Sequence, residues 1–202
     1  MDLQGTKVAV IGLGASGVAA ARLAVEQGGD IYVSDTRTDD AVAARGTDLR
    51  GLGIDVELGG HDLERLVDAD LVVTSPGIPA DAPVLRSLAH RGKRWISEPE
   101  LAARFYTGSL IAITGTNGKT TTTLLVDHLL RASGIDAAAG GNVGGGLAPP
   151  ASDLARRDPQ PDWVVLEMSS YQLADVETFR PDIGVVTNLS PDHQDRYGSV
   201  EA

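Results

Sequence analysis

The sequence predicts an α/β fold: a Rossmann-like N-terminal domain followed by a truncated P-loop α/β central domain. Two observations carry that prediction. Short β-branched runs alternate with helix-like stretches along the 202 residues, the pattern of strands layered with helices. Two glycine-rich turns, Gly12-Leu13-Gly14-Ala15-Ser16-Gly17 and Gly115-Thr116-Asn117-Gly118-Lys119-Thr120-Thr121, each follow an apolar run and each open a helical segment. A chain with one turn of dinucleotide type and one of triphosphate type reads as an enzyme that brings two phosphorylated compounds together.

Taken in order, residues 7–11, 31–34, 71–73, 110–114, 164–168 and 183–187 read as buried parallel strands. Residues 16–27, 83–91, 98–105 and 120–133 read as helices, the last because Leu125 and Leu129 return at helical spacing. A strand–loop–helix phosphate unit restarts after the helix at 98–105, so the division is expected at 106/107, giving domains 1–106 and 107–202. Residues 140–161, rich in Gly, Pro and Asp, read as loop with one short helix. The second domain holds three or four strands and the pattern stops at Ala202 without a stop signal, so a fragment of a longer protein is expected.

Composition narrows the classes. With 17 Lys plus Arg against 28 Asp plus Glu, the net charge of -11 gives a repulsive far field toward nucleic acid and anionic membrane, so neither is an expected partner. Any phosphate must be held by local donors. The absence of cysteine excludes disulfides, thiolate metal sites and cysteine nucleophiles. No signal-peptide pattern and no long apolar run is present, so a cytoplasmic location is the expectation.

In the first turn, Gly12 would permit the tight bend, Gly14 would let a phosphate approach the backbone, and Gly17 would let helix and strand pack closely. The amides of Ala15 and Ser16 would face a pyrophosphate, and the Ser16 hydroxyl can cap the helix. Asp35 ends the next strand, where a dinucleotide-binding fold places the acid that holds a ribose hydroxyl. Thr36 and Arg37 follow with a hydroxyl and a planar cation able to stack on a base. Alone, this turn reads as an NAD site.

The second turn departs from the strict G-x-x-x-x-G-K-[ST] pattern, because Ile113 occupies the first glycine position. The physics holds all the same: successive amides cradle phosphate oxygens, Lys119 neutralises the terminal phosphates, and the Thr120 hydroxyl can ligate Mg²⁺. Glu167, at a strand end beside that turn, is where a P-loop protein holds Mg²⁺. A further cluster, Asp192-His193-Gln194-Asp195-Arg196-Tyr197, sets an imidazole among carboxylates, and His193 could ligate a metal or contact a phosphate.

These motifs, with the Gly141-Asn142-Val143-Gly144 turn and Glu167-Met168-Ser169-Ser170-Tyr171-Gln172-Leu173, resemble the ATP-dependent Mur ligases of peptidoglycan synthesis. Residues 11–17, Ser34-Asp35-Thr36-Arg37 and Thr74-Ser75-Pro76-Gly77-Ile78 are similar to the members that add D-glutamate. The resemblance implies an amide-forming ligase that consumes ATP with Mg²⁺ and joins D-glutamate to UDP-N-acetylmuramoyl-L-alanine through an acyl phosphate. Its place would be cell-wall biogenesis, cell shape and cell division. It implies that Gly115, Thr116, Asn117, Gly118, Lys119, Thr120 and Thr121 hold ATP, with Lys119 on the transferring phosphate. Thr120, Glu167 and His193 would serve as metal ligands, and Asn142 would touch the substrate. The first turn changes role under this reading. Gly14, Ala15 and Ser16 would face the UDP pyrophosphate, Asp35, Thr36 and Arg37 the uracil, and Ser75 and Gly77 the same cleft.

The resemblance further implies a carbamylated lysine, more nucleobase contacts and a C-terminal D-glutamate domain outside these 202 residues. The chain is therefore expected to be a monomer that binds substrate and nucleotide and does not ligate alone. The alternatives are an NAD-dependent oxidoreductase, which leaves the second turn without a role, and a non-catalytic nucleotide-binding module.

Overall fold

A computed structural model describes residues 2–192. It contains two all-parallel sheets. The first is ordered β3-β2-β1-β4-β5 and is built from β1 (Lys7–Ile11), β2 (Asp30–Asp35), β3 (Asp55–Leu58), β4 (Leu71–Thr74) and β5 (Ile96–Ser97). Its helices are α1 (Ala15–Glu26), α2 (Asp40–Arg50), α3 (Leu63–Asp68) and α4 (Pro83–His90). β1 lies between β2 and β4, so the chain reverses its winding there and leaves a crevice at the strand ends. The glycine turn after β1 and the Ser75–Gly77 turn after β4 both open onto that crevice.

The second sheet is ordered β7-β8-β6-β9, from β6 (Ser109–Thr114), β7 (Ala137–Gly141), β8 (Trp163–Glu167) and β9 (Ile183–Val186). α6 (Lys119–Ala132), α7 (Ala151–Ala155) and α8 (Ser170–Ala174) connect them. β6 pairs with β8 so that Ile113 stands opposite Glu167, which puts the second glycine turn and the acidic strand end side by side.

Between the sheets runs α5 (Glu98–Ala103), packed with α1 and α7 around one continuous apolar core that includes Leu23, Leu101, Ala112, Leu154 and Leu166. Both carboxylates of α5 are buried. Glu100 accepts from the amides of Glu177, Thr178 and Phe179 at 3.0, 3.0 and 2.7 Å, from the Thr178 hydroxyl at 2.6 Å, and from Arg104 Nε at 2.9 Å. Burial alone would raise its pKa, but these donors outweigh it and hold it below the ordinary value. Glu98 has one oxygen on the Ser152 amide at the start of α7 (2.5 Å) and the other without a partner, and burial pushes it up to about 7.

The elements beyond the sequence expectation have weak local signals. α2 carries Gly46 and Thr47, α3 is 6 residues long, β5 is 2, and α8 is 5. β7 replaces the beginning of the loop expected at 140–161. It is made of Ala and Gly because α7 leaves no room for more: a Cβ on Gly140 would come 2.5 Å from Leu154 Cδ1. The short helix expected within that stretch is α7. Ser16 does not cap α1. Gly14 is the N-cap and Ser16 is already inside the helix, so the end is left with amides and no side-chain acceptor.

Candidate functional site

Two sites form at strand carboxyl ends. At the first, the glycines act by shape. Gly12 has φ +100, a left-handed conformation that side chains resist, and a Cβ on Gly17 would overlap the Gly12 carbonyl. A Cβ on Gly14 would meet nothing within 4 Å, so the approach to the α1 amides is open. Ser75 is buried with its hydroxyl on Gly12 O (3.2 Å), bracing the turn, and Gly77 is exposed. Gly77 lines a cleft of about 380 Å³ with Pro76, Ile78, Pro79, Asp81 and, from α8, Tyr171.

Asp35 is 4% exposed, and both its oxygens are already engaged. Oδ2 accepts from the Leu13 amide and from Arg37 Nη2, each at 2.7 Å; Oδ1 accepts from the Arg37 amide at 2.8 Å and Arg37 Nε at 3.0 Å. Burial pushes this carboxyl up, yet the Arg37 and Leu13 donors prevail and hold it at about 2. Asp35 thus fixes the fork of Arg37, whose side chain stays 54% exposed, and it ties the glycine turn to the end of β2. Thr36 is exposed beside it. Arg45 Nη1, on α2, donates to Leu13 O at 3.0 Å and holds the same turn from the other side. Arg45 carried no sequence signal, because it lies on a helix that the sequence does not announce.

At the second site, Gly115 (φ +130) and Gly118 (φ +82) supply the left-handed bends, and Gly118 caps α6. Lys119 folds back so that Nζ donates to Gly115 O (2.8 Å) and Thr116 O (3.0 Å). Thr120 Oγ1 donates to Glu167 Oε2 at 2.6 Å, bringing together two residues 47 apart in the chain. A hydroxyl and a carboxylate touching beside a glycine turn form a hard-oxygen donor pair of the kind Mg²⁺ takes. The Asn142 backbone amide donates to Glu167 O at 2.9 Å, and the residue is exposed. Thr121 lies on the exposed side of α6. His193 lies outside the described residues.

The segment after β9 buttresses this turn. Asn188 pairs with the Asn117 backbone through Oδ1 (3.1 Å) and Nδ2 (2.9 Å), and Thr116 Oγ1 exchanges hydrogen bonds with the Ser190 backbone at 3.0 and 3.1 Å. Thr187 Oγ1 sits 2.8 Å from Asn117 O, and a Cβ on Gly115 would run into it. Thr187 ends the strand expected at 183–187, and the bracing by it, Asn188 and Ser190 needs the β6–β9 pairing.

Two parallel sheets, each with a glycine turn at a strand end, and an acid–hydroxyl pair at the second define the architecture of an α/β protein with two strand-end turns. Residues 6–97 match the family described as Mur ligase MurD-like, N-terminal domain, and residues 113–202 match the Mur ligase middle domain. The chain belongs to the Mur ligase family. Among its relatives are proteins named UDP-N-acetylmuramoylalanine–D-glutamate ligase. That of Acidobacterium capsulatum is 45% identical over 100% of this chain and 43% of its own length. That of Chlorobaculum parvum is 46% identical over 97% and 41%. The chain therefore spans less than half the length of these curated relatives. Among solved structures, UDP-N-acetylmuramate:L-alanyl-gamma-D-glutamyl-meso-diaminopimelate ligase from Neisseria meningitides superposes with TM-score 0.59 and 25% identity, over 98% of this chain and 65% of that one. UDP-N-acetylmuramate–alanine ligase from Thermotoga maritima has the same fold, with TM-score 0.54 and 24% identity over 96% and 44%.

Proposed function

We propose that the chain carries the UDP-sugar and ATP sites of a cytoplasmic, monomeric ligase that adds D-glutamate to UDP-N-acetylmuramoyl-L-alanine. In this reading residues 1–106 form the sugar-nucleotide domain and 107–202 the ATP domain. The observation that carries it is the Thr120–Glu167 contact beside Gly115–Gly118, in a chain whose relatives are named as D-glutamate ligases. Those oxygens suit Mg²⁺, with His193 as a further ligand, and the cation would screen charge on the phosphates and on the carboxylate they meet. The amides at the start of α6 would hold the triphosphate. Lys119 would leave the loop carbonyls to lie on the transferring phosphate, and Asn142 would orient the substrate carboxylate beside it. Attack of that carboxylate gives an acyl phosphate, which the D-glutamate amine then opens to the amide. Positioning and neutralised charge supply the rate.

Within the first domain, Gly14, Ala15 and Ser16 would bind the pyrophosphate, with Thr36 and Arg37 at the base and Ser75 and Gly77 along the cleft. The saturated Asp35 favours this over an NAD site, where the same carboxylate must accept ribose hydroxyls. Calorimetric titration of the chain with UDP-N-acetylmuramoyl-L-alanine, Mg-ADP and NADH tests the reading. The first two should bind, and Lys119→Ala should weaken Mg-ADP at least tenfold without touching the UDP-sugar. Tight NADH binding, or Mg-ADP affinity unmoved by the substitution, would refute it.

A further inference from the structure

The saturation of Asp35 leaves the first site in need of another group to read the base, and the loop joining β3 to α3 offers one. That loop runs beside the end of β2. The Gly59 amide donates to Asp35 O at 2.8 Å, and a Cβ on Gly59 would lie 3.3 Å from Thr38 Cγ2. His61 follows two residues later, with Nδ1 2.8 Å from Ser34 Oγ. Ser34 is fully buried, so this contact anchors the half-buried imidazole at Nδ1 and leaves Nε2 as its other ring nitrogen. Nε2 makes no hydrogen bond to any described residue.

The charged groups around the ring are accounted for. Asp35 on β2 is tied to Arg37, while Glu57 on β3 accepts from the Tyr32 hydroxyl at 2.5 Å and the Asp62 amide at 3.2 Å. Neither carboxylate hydrogen-bonds the imidazole. Burial lowers the pKa of His61, against the opposing pull of Asp35 and Glu57, and so favours the neutral ring. In the tautomer whose Nδ1–H donates to Ser34 Oγ, Nε2 is an acceptor.

We propose that His61 is a specificity-determining residue of the sugar-nucleotide site, its Nε2 accepting a hydrogen bond from N3–H of uracil while Arg37 covers the ring. The inference rests on reading the first turn as a uridine-nucleotide site. It explains selectivity by a simple mismatch: cytosine presents an acceptor at N3, so two lone pairs would face each other there. Neither the glycine turn nor Arg37 makes that distinction, since phosphate contacts and stacking are common to both pyrimidines.

The test is calorimetric titration of the 202-residue chain with UDP and with CDP. The wild type should prefer UDP by about tenfold, the equivalent of one hydrogen bond to a group otherwise left unpaired. His61→Phe, which keeps a flat ring and removes the acceptor, should weaken UDP and bring the two ligands within about twofold. His61→Gln, whose amide oxygen can accept, should restore part of the preference. A UDP-to-CDP ratio unchanged in His61→Phe overturns the inference and leaves the function standing. Parallel loss of both ligands, with a lowered melting temperature and no recovery in His61→Gln, also overturns it, because that is loop damage. A wild type that binds neither UDP nor UDP-N-acetylmuramoyl-L-alanine removes the inference together with the first-site reading.

Discussion

Asp35 shows how a residue that the sequence offers to a ligand can also hold its own turn together. The sequence places it where a ribose or base would be met; the folded chain spends all its acceptor capacity on Leu13 and Arg37. Its folded pKa of about 2 lies below the unfolded value of 3.8, so its stabilisation is complete above pH 4 and disappears as pH falls through 2. The contribution is on the order of 2 kcal/mol at neutral pH, discounted for the half-exposed Arg37. Asp35→Asn should therefore flatten the acid limb of a urea-unfolding pH profile between pH 4 and 2; an unchanged limb would contradict the assignment. Gly17 makes a stronger demand at the same scale. Because a Cβ there would overlap a backbone oxygen, Gly17→Ala should cost about 2–3 kcal/mol, read as a lowered urea midpoint with unchanged slope.

Among the elements, legibility followed local signal. β1, β2, β4, β6 and β8 were visible as aliphatic runs, and α1, α4 and α5 as helical stretches, because each buries apolar residues. β9 and α6 were visible from the same kind of run, yet Ile183 and Val186 of β9 and Leu125 and Leu129 of α6 are exposed, so the burial expected of 183–187 is not found. β7 was not, since a strand of Ala and Gly selected for close approach to α7 carries no strand propensity. The Thr120–Glu167 pair was readable as two motifs but not as a contact, which depends on β6 and β8 being neighbours. Nor could Asn188 be recognised as the brace of the second turn before β9 was seen to lie on the other side of β6. Asn188→Ala should loosen residues 115–118, measured as faster amide exchange at Asn117 and weaker Mg-ADP binding by several fold. Equal protection in both proteins would count against that brace.

For the whole molecule, α5 decides how the two sheets share stability. Glu98 has a folded pKa of about 7 against 4.5 unfolded, so the folded state holds its proton more tightly. Its stabilisation is full below pH 4.5 and is lost as pH rises through 7. Glu98→Gln should remove that alkaline loss and leave the variant the more stable partner above pH 7.5; a steeper decline in the variant would reverse the assignment. Glu100 works in the opposite sense, held below its ordinary pKa by three consecutive amides across the joint. Scanning calorimetry should give one endotherm for the wild type, and Glu100→Gln should shift it down by several degrees. Two separate endotherms in the wild type would show that the joint does not couple the sheets. The consequence reaches the way this chain can be divided. A cut between residues 106 and 107, where the sequence invites one, would strand two acids in the first piece, stripped of the amides that answer them. The severed half would carry an unanswered, water-seeking face where the whole chain buries both acids.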